Sequence, residues 1–306
     1  MKNHPIKYIK AYGLGLFLIQ SLILILNKAN IFTTVKNSLI VKKNKIVLDW
    51  LTNEYQDLIR QYNSVPLGAT KNSDKVWVFW WQGEHEMPEL VKVCLESIKE
   101  NLYDSSIVVL TKDNIDEFLS IPDYILDKFN KGIIGPAHFS DIVRTGLLKK
   151  YGGLWIDATI YLTGKISQNK LSEIKTVKFR CNDDTSISNG KWAVFFWGKT
   201  SNKLYDFMYD LYLDYWKKEN IIIDYFLMDY MVKLAYLNFK DIKEEFDNIS
   251  FNNEAIHELA ALLNQKFNKK DFETLLSQND IHKLSFKMEL QEKIENQPTF
   301  WGVIKS

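Results

Sequence analysis

Residues 138–162 read HFSDIVRTGLLKKYGGLWIDATIYL, and the order of residues within this stretch sets the reading of the rest of the chain. After Pro136 a helical stretch places Asp141 and Arg144 three residues apart on one face, with His138 a turn earlier on the same side. Lys149 and Lys150 suit the negative end of that helix, and Gly152 or Gly153 supplies the left-handed stop. The next run is a strand. Its period of two sends Leu154, Ile156 and Ala158 to one face and Trp155, Asp157 and Thr159 to the other. An acid beside an indole in an apolar run is costly unless a cation, a metal or a ligand meets it. Only three of the 39 basic residues are arginine, namely Arg60, Arg144 and Arg180. The fork-shaped cation at Arg144 therefore points to bidentate recognition of an oxyanion or of paired hydroxyls. The plain alternative is an intrahelical ion pair worth a few tenths of a kcal/mol.

Upstream, KVWVFWWQG (75–83) is rich in strand formers and ends in glycine, MPELVKVCLESIKEN (87–101) has helical spacing, and SSIVVLT (105–111) is a second apolar run. Strand, helix, strand makes a βαβ unit. Helical patterns around 115–118, 124–129 and 137–150 then lead to the glycine stop and another strand, which predicts an α/β sheet, mixed and mainly parallel. In such sheets ligands sit at the carboxyl ends of the strands. The region 200–275 is mostly helical by period. NSVPLGATKNSD (63–74) has the composition of a linker after a helix around Leu48–Tyr62. These features predict an N-terminal segment over 1–45, a helix and linker over 46–74, and a main domain over 75–306.

A net charge of +1 with 25% charged residues argues against a partner bound through many phosphates, so nucleic acid is excluded. Two cysteines, Cys94 and Cys181, make neither a disulfide framework nor a zinc cluster. Residues 11–27, AYGLGLFLIQSLILILN, are uncharged; as a helix they reach about 25 Å against about 30 Å of hydrocarbon. Lys2, Lys7 and Lys10 precede the run, and Lys28, Lys36, Lys42, Lys43 and Lys45 follow it. That pattern suits a helix associated with an anionic membrane surface. A core helix and a cleaved signal peptide are the alternatives, and no Ala-x-Ala site supports the second.

The segment resembles the core of glycosyltransferases with a DxD sugar-binding motif, a group that includes capsular polysaccharide synthesis proteins, yeast-type mannosyltransferases and large glucosylating toxins. The shared pattern is Ser-Asp-x-x-Arg, then Tyr-Gly-Gly and a hydrophobic run ending in Asp-x-Asp; here it reads SDIVR, YGGLWID and AT. WVFWWQG resembles the family's first strand, and the similarity extends over about 75–306. The resemblance implies a GT-A-like fold binding a nucleotide-diphosphate sugar. It implies that Trp80 stacks on the base with Gln82 nearby, and that Asp141 and Arg144 hold sugar hydroxyls or diphosphate beside Ser140 and His138. Trp155 would pack on the donor, and Asp157 would orient sugar, ribose or metal. The closing segments DIHKLSFK and QPTFWG are similar too; by that likeness His282 and Lys283 donate to phosphate while Thr299 and Trp301 complete a lid.

A departing diphosphate needs positive charge, which a divalent ion supplies. The resemblance implies Mn²⁺ or Mg²⁺ at Asp157 and Thr159, with Thr159 standing where the pattern has its second acid. Asp183, Asp184, Asp224 and Asp229 are candidate replacement acids, each by default a surface carboxylate or a cap. The implied activity is sugar transfer with retained configuration from a nucleotide sugar to a capsular or surface glycan, lipid-linked, on the cytoplasmic side of a bacterial membrane. The alternative is a catalytically weakened accessory protein that binds sugar nucleotide or glycan.

Overall fold

The computed structural model of the chain describes residues 4–29, 33–68, 71, 73–102, 106–166, 174–181 and 183–306. A four-stranded sheet in the order β2-β1-β3-β5 lies at its centre, built from β1 (Lys75–Phe79), β2 (Ser106–Leu110), β3 (Leu154–Ile156) and β5 (Phe196–Trp197). β1 pairs in parallel with β2 and β3, and β5 runs antiparallel beside β3. β4 (Ile160–Leu162) leaves this sheet and pairs antiparallel with β6 (Ile281–Lys283). The sheet is mixed and mainly parallel, as the alternation of patterns predicts; Ser105 of the second apolar run lies outside the described residues.

Helices α1 (Pro5–Tyr12), α2 (Leu14–Ala29), α3 (Thr33–Glu54) and α4 (Gln56–Asn63) precede β1, and α5 (Glu89–Asn101) links β1 to β2. Helices α6 (Ile115–Phe118), α7 (Asp123–Asn130) and α8 (Pro136–Tyr151) lead to β3, while α9 (Asn202–Lys218) and α10 (Leu227–Asn238) follow β5. The predicted helix over 48–62 is the end of α3 together with α4. They separate at Tyr55, whose backbone (φ −110°, ψ 21°) leaves the helical region.

The period-two reading of β3 matches its packing. Leu154 and Ile156 join Val76 and Val78 in a cluster with Val91, Leu95 and Ile98 of α5. Trp155 faces the opposite layer, in register with Trp77 on one side and Trp197 on the other. Three neighbouring indoles thus form a floor beneath Phe139, Ile142 and Leu147 of α8.

The Gly-Gly pair makes the turn from α8 into β3 possible. Gly153 has φ +88°, and a Cβ there would lie 2.3 Å from the Lys75 carbonyl oxygen; Gly152 has φ +71°, with a Cβ 2.6 Å from the Lys71 carbonyl oxygen. Any side chain would push β3 off β1. The Trp77 Nε1–H donates to the Gly152 carbonyl at 2.9 Å and holds the turn against the sheet.

Among the described residues no helix is long and apolar enough to cross a membrane. A spanning reading of residues 11–27 is not met, because Gly13 (φ +89°) interrupts the run and α2 buries Leu16, Gln20 and Ile23 on one side. The Tyr8 hydroxyl donates to the Ile223 carbonyl at 2.6 Å, the Tyr12 and Tyr215 hydroxyls share a hydrogen at 2.6 Å, and Gln20 Nε2 donates to the Ile223 carbonyl at 3.0 Å. Tyr8, Tyr12, Leu16, Val47 and Leu51 belong to the same buried cluster as Tyr212 and Tyr230. Packing therefore runs unbroken across positions 45 and 74.

Candidate functional site

β3 ends at Ile156, and the chain turns at once: the Ile160 N–H donates to the Asp157 carbonyl at 2.9 Å. This tight turn sets the side chains of Asp157 and Thr159 at the carboxyl end of a parallel strand, where the sheet topology predicts a ligand. Asp157 Oδ1 accepts from Arg144 Nη2 at 3.0 Å and from Trp155 Nε1 at 2.8 Å, and Oδ2 accepts from Lys283 Nζ at 2.7 Å. Burial pushes this carboxyl up, but the charges of Lys283 and Arg144 and the hydrogen bonds of Lys283 and Trp155 outweigh it. They hold Asp157 below the ordinary carboxylate range.

Arg144 approaches from α8. Its Nη1 donates to the Val194 carbonyl, its Nη2 also lies 3.4 Å from Asp141 Oδ1, and its guanidinium stacks over the Trp155 ring at 4.9 Å. The residue is only 4% exposed. The fork is aimed at Asp157, Asp141 and a backbone carbonyl instead of at an incoming oxyanion. Two carboxylates, a backbone carbonyl and an indole face meet its Nη groups and its plane, while Nε is buried without a hydrogen-bond partner among the described residues. Arg144 thus fixes Asp157, and the expected direct grip on donor oxygens is not what this geometry provides. His138 is buried beside Asp141, with Nδ1 at 3.7 Å from Asp141 Oδ2 and its ring against Tyr225.

Asp157, Thr159, Arg144, Asp141, Ser140, Trp155, Trp80, Gln82 and Lys283 all line one cleft of about 1260 Å³. Trp80 and Gln82 enter it from the carboxyl end of β1, and Trp80 meets Phe286 edge-on at 5.6 Å. The opposite wall holds Trp192, Tyr225, Phe226, Met228 and Asp229, and α2 and α3 add Ile23, Asn27, Lys43 and Asn44. Aromatic rings set around a few charged groups suit a ligand with flat or pyranose faces and anionic ends.

Asp229 is the acid that sequence reasoning did not separate from its neighbours. Trp192 Nε1 donates to its Oδ1 at 3.0 Å, and burial, aided by the charge of Asp141, raises its pKa to about 6 against the pull of that hydrogen bond. Asp224, by contrast, is held by Lys43 at 2.8 Å and caps the Phe226 N–H, while Asp183 folds onto Thr185 at the surface. Only the tertiary fold separates these roles. The pairing of an indole N–H with a carboxylate 37 residues away leaves no local signal.

Three expected residues do not line the cleft: His138, which packs beside Asp141, and His282 and Trp301. His282 precedes Lys283 on β6, so its side chain points to the other face, where its ring nitrogen Nε2 lies 3.1 Å from Thr163 Oγ1. It is fully buried, and burial lowers its pKa to about 4. Trp301 is 2% exposed, packed with Leu263, Leu275 and Phe300, and Thr299 caps its short helix by accepting from the Gly302 N–H at 3.0 Å. That segment is core and helix cap.

The residues between Asp157 and Thr159 do not fit a divalent ion. Lys283 Nζ lies 2.7 Å from Asp157 Oδ2 and 2.8 Å from Thr159 Oγ1, so an ammonium already occupies the gap. Both Asp157 oxygens are engaged by donors, and Thr159 offers a neutral hydroxyl. Among the described residues no group of three or more His, Cys, Asp or Glu stands together as a metal shell. Hard divalent ions need free oxygen ligands, which a lysine between them displaces.

Fold and site together define an α/β protein whose parallel strands deliver one acid, clamped by two cations, into a large aromatic cleft. The chain belongs to the capsular polysaccharide synthesis protein family, whose sequence profile matches residues 27–301 and so includes α3, the β3 turn and β6. No curated protein and no solved structure matches it. The family's name ties the chain to the synthesis of capsular polysaccharide.

Proposed function

We propose that this protein is a glycosyltransferase of capsule assembly, moving a sugar from a nucleotide-diphosphate donor onto a growing glycan with retained configuration, on a GT-A-like fold. The observation that carries the reading is the clamp at the β3 turn: Asp157 held by Arg144, Trp155 and Lys283 at the mouth of the cleft. A carboxylate fixed in this way accepts sugar or ribose hydroxyls in one orientation, and the cation beside it faces the departing diphosphate. Trp80 at the end of β1 offers a stacking face for the base, and Trp192, Tyr225 and Phe226 offer faces for the acceptor glycan.

An anionic bilayer surface is the partner that best fits the N-terminal face. Eight of the 39 basic residues and none of the 38 acidic ones precede Asp49, so the remainder carries 31 against 38. Leu14, Leu18, Leu22 and Ile25 are exposed, spaced along the side of α2 opposite to buried Leu16, Gln20 and Ile23. Lys7, Lys10, Lys28, Lys36 and Lys42 have no acidic partner among the described residues. An uncharged apolar stripe rimmed by lysine is suited to lie in the headgroup region. The same helix lines the cleft from its other side through Ile23 and Asn27, and exposed Tyr225 and Phe226 line the cleft too, so the stripe and the cleft share one element, which favours a lipid-linked acceptor.

The deciding experiment incubates the full chain with a panel of nucleotide sugars, with and without lipid-linked glycan acceptors, and follows nucleoside diphosphate release. Acceptor-dependent release from one donor is expected. Donor binding with no release under any acceptor would make the chain an accessory sugar-nucleotide-binding protein instead.

A further inference from the structure

We propose that the Lys283 ammonium takes the place of a divalent ion, so that the donor diphosphate binds and departs against a cation supplied by the chain itself. This rests on the glycosyltransferase reading above and concerns how the same site meets its charge requirement.

The geometry is that of a cation between two oxygens. Lys283 Nζ lies between Asp157 Oδ2 and Thr159 Oγ1 at 2.7 and 2.8 Å, on a turn that opens to the cleft. The backbone fixes it there. Lys283 pairs with Ile160 across β4 and β6, its N–H donates to the Ile256 carbonyl, and the following Leu284 N–H donates to the Thr159 carbonyl. The ammonium also lies over the Phe195 ring at 5.0 Å, which leaves little room for the side chain to swing away.

An ammonium has three donors, and two are engaged by Asp157 and Thr159. The third is available to a phosphate oxygen without breaking either bond, since the side chain lines the cleft and is 21% exposed. The neutral Thr159 is then intelligible. A second carboxylate in place of Thr159 would leave Asp141, Asp157, Arg144 and Lys283 with an excess of negative charge that repels a diphosphate, whereas a neutral hydroxyl accepts the lysine's hydrogen bond and adds no negative charge.

In the transfer step the bond between the sugar anomeric carbon and the β-phosphate oxygen breaks, and its electron pair stays on that oxygen. The acceptor hydroxyl oxygen forms the new bond to the same carbon, and its proton leaves to the departing diphosphate. Lys283 gives up nothing: it donates a hydrogen bond to the diphosphate as charge develops, with Arg144 behind Asp157 keeping the carboxylate in place.

The test measures UDP and GDP affinity of the full-length protein by calorimetry, in EDTA and then in Mn²⁺, for wild type, Lys283→Gln and Lys283→Arg. For wild type one diphosphate should bind with the same affinity in both buffers, within about twofold. In EDTA, Lys283→Gln should lose about tenfold or more, and Lys283→Arg should retain most of the affinity, because it keeps the charge. Binding by wild type only when Mn²⁺ is present overturns the proposal and leaves the donor reading standing. Unchanged affinity in a folded Lys283→Gln protein overturns it as well. Should Lys283→Gln fail to fold, the wild-type comparison and Lys283→Arg still decide. No binding of either diphosphate in either buffer removes the donor reading, and this proposal with it.

Discussion

The β3 turn and the outer face of α2 obey the same electrostatic rule in opposite ways. At the turn, every charge is answered inside the molecule: Asp157 by Arg144 and Lys283, and Arg144 by Asp157, Asp141 and the Trp155 face. On α2, Leu14, Leu18, Leu22 and Ile25 are exposed, and Lys7, Lys10, Lys28, Lys36 and Lys42 have no acidic partner among the described residues. A buried charge without a partner is costly, so the fold completes the first region itself. An apolar patch of this kind marks a surface completed by something external. The contrast teaches where to look for function: inside the clamp for chemistry, and outside α2 for a partner.

The most severe way to break the comparison is to remove residues 1–45, which takes away both the outer stripe and the core side of α1 and α2. Losing Leu16 with the rings of Tyr8 and Tyr12 forfeits on the order of 5 kcal/mol or more of burial, comparable with a whole domain's stability. The truncated chain should show no cooperative thermal transition by circular dichroism. A sharp transition near that of the full chain would mean that the N-terminal helices are an appendage.

Next in size is Asp157→Asn, which leaves two cations facing a neutral amide. Breaking a buried pair costs about 3–5 kcal/mol, and at this partly exposed position the lower end applies. Acceptor-dependent diphosphate release should fall by roughly 100-fold or more, and the melting temperature should drop as well. Wild-type turnover at saturating donor would remove Asp157 from the site.

Leu18→Glu with Leu22→Glu sharpens the other half. Withdrawing two leucines from a bilayer interface loses about 3 kcal/mol or more, about 100-fold in partitioning. Sedimentation with phosphatidylglycerol vesicles should show that loss, while diphosphate affinity in solution stays at the wild-type value. Equal sedimentation of wild type and variant, or equal binding to neutral phosphatidylcholine vesicles, would count against an anionic surface as the partner.

The smallest expected effect is one of pH. Asp229 has its folded pKa raised to about 6, above its unfolded value near 3.9. The folded state therefore holds the proton more tightly, and ionising the buried acid weakens the fold as pH rises through about 4 to 6. Asp229→Asn should gain melting temperature relative to wild type over that window and hold the gain at pH 7. His282, lowered to about 4, acts with the opposite sign: its stability contribution is lost as pH falls from the unfolded value toward 4. It does so equally in both proteins, so the difference between them isolates Asp229. A difference that is flat with pH would show that Asp229 is not perturbed.

The sequence by itself determined what neighbours in the chain dictate. The βαβ order, the helix stop at Gly152 and Gly153, the two faces of β3, and the candidates Asp141, Arg144, Trp155 and Asp157 all follow from local periodicity and local sterics. Local pattern also showed that residues 11–27 are apolar, but not that one side of α2 is core, because that needs the 221–224 segment folded against it. Tertiary structure alone decided the direction of the Arg144 fork, which depends on the Val194 carbonyl arriving from a distant loop. It alone chose Asp229 over Asp224 and Asp183, and buried Trp301 in a cluster apart from the cleft. Lys283 and His282 show the limit most clearly. They are adjacent in sequence and both plausible phosphate donors. The pairing of β6 with β4 sets which one faces the cleft, because a strand's alternation gives two faces but its register with a distant strand says which face is which.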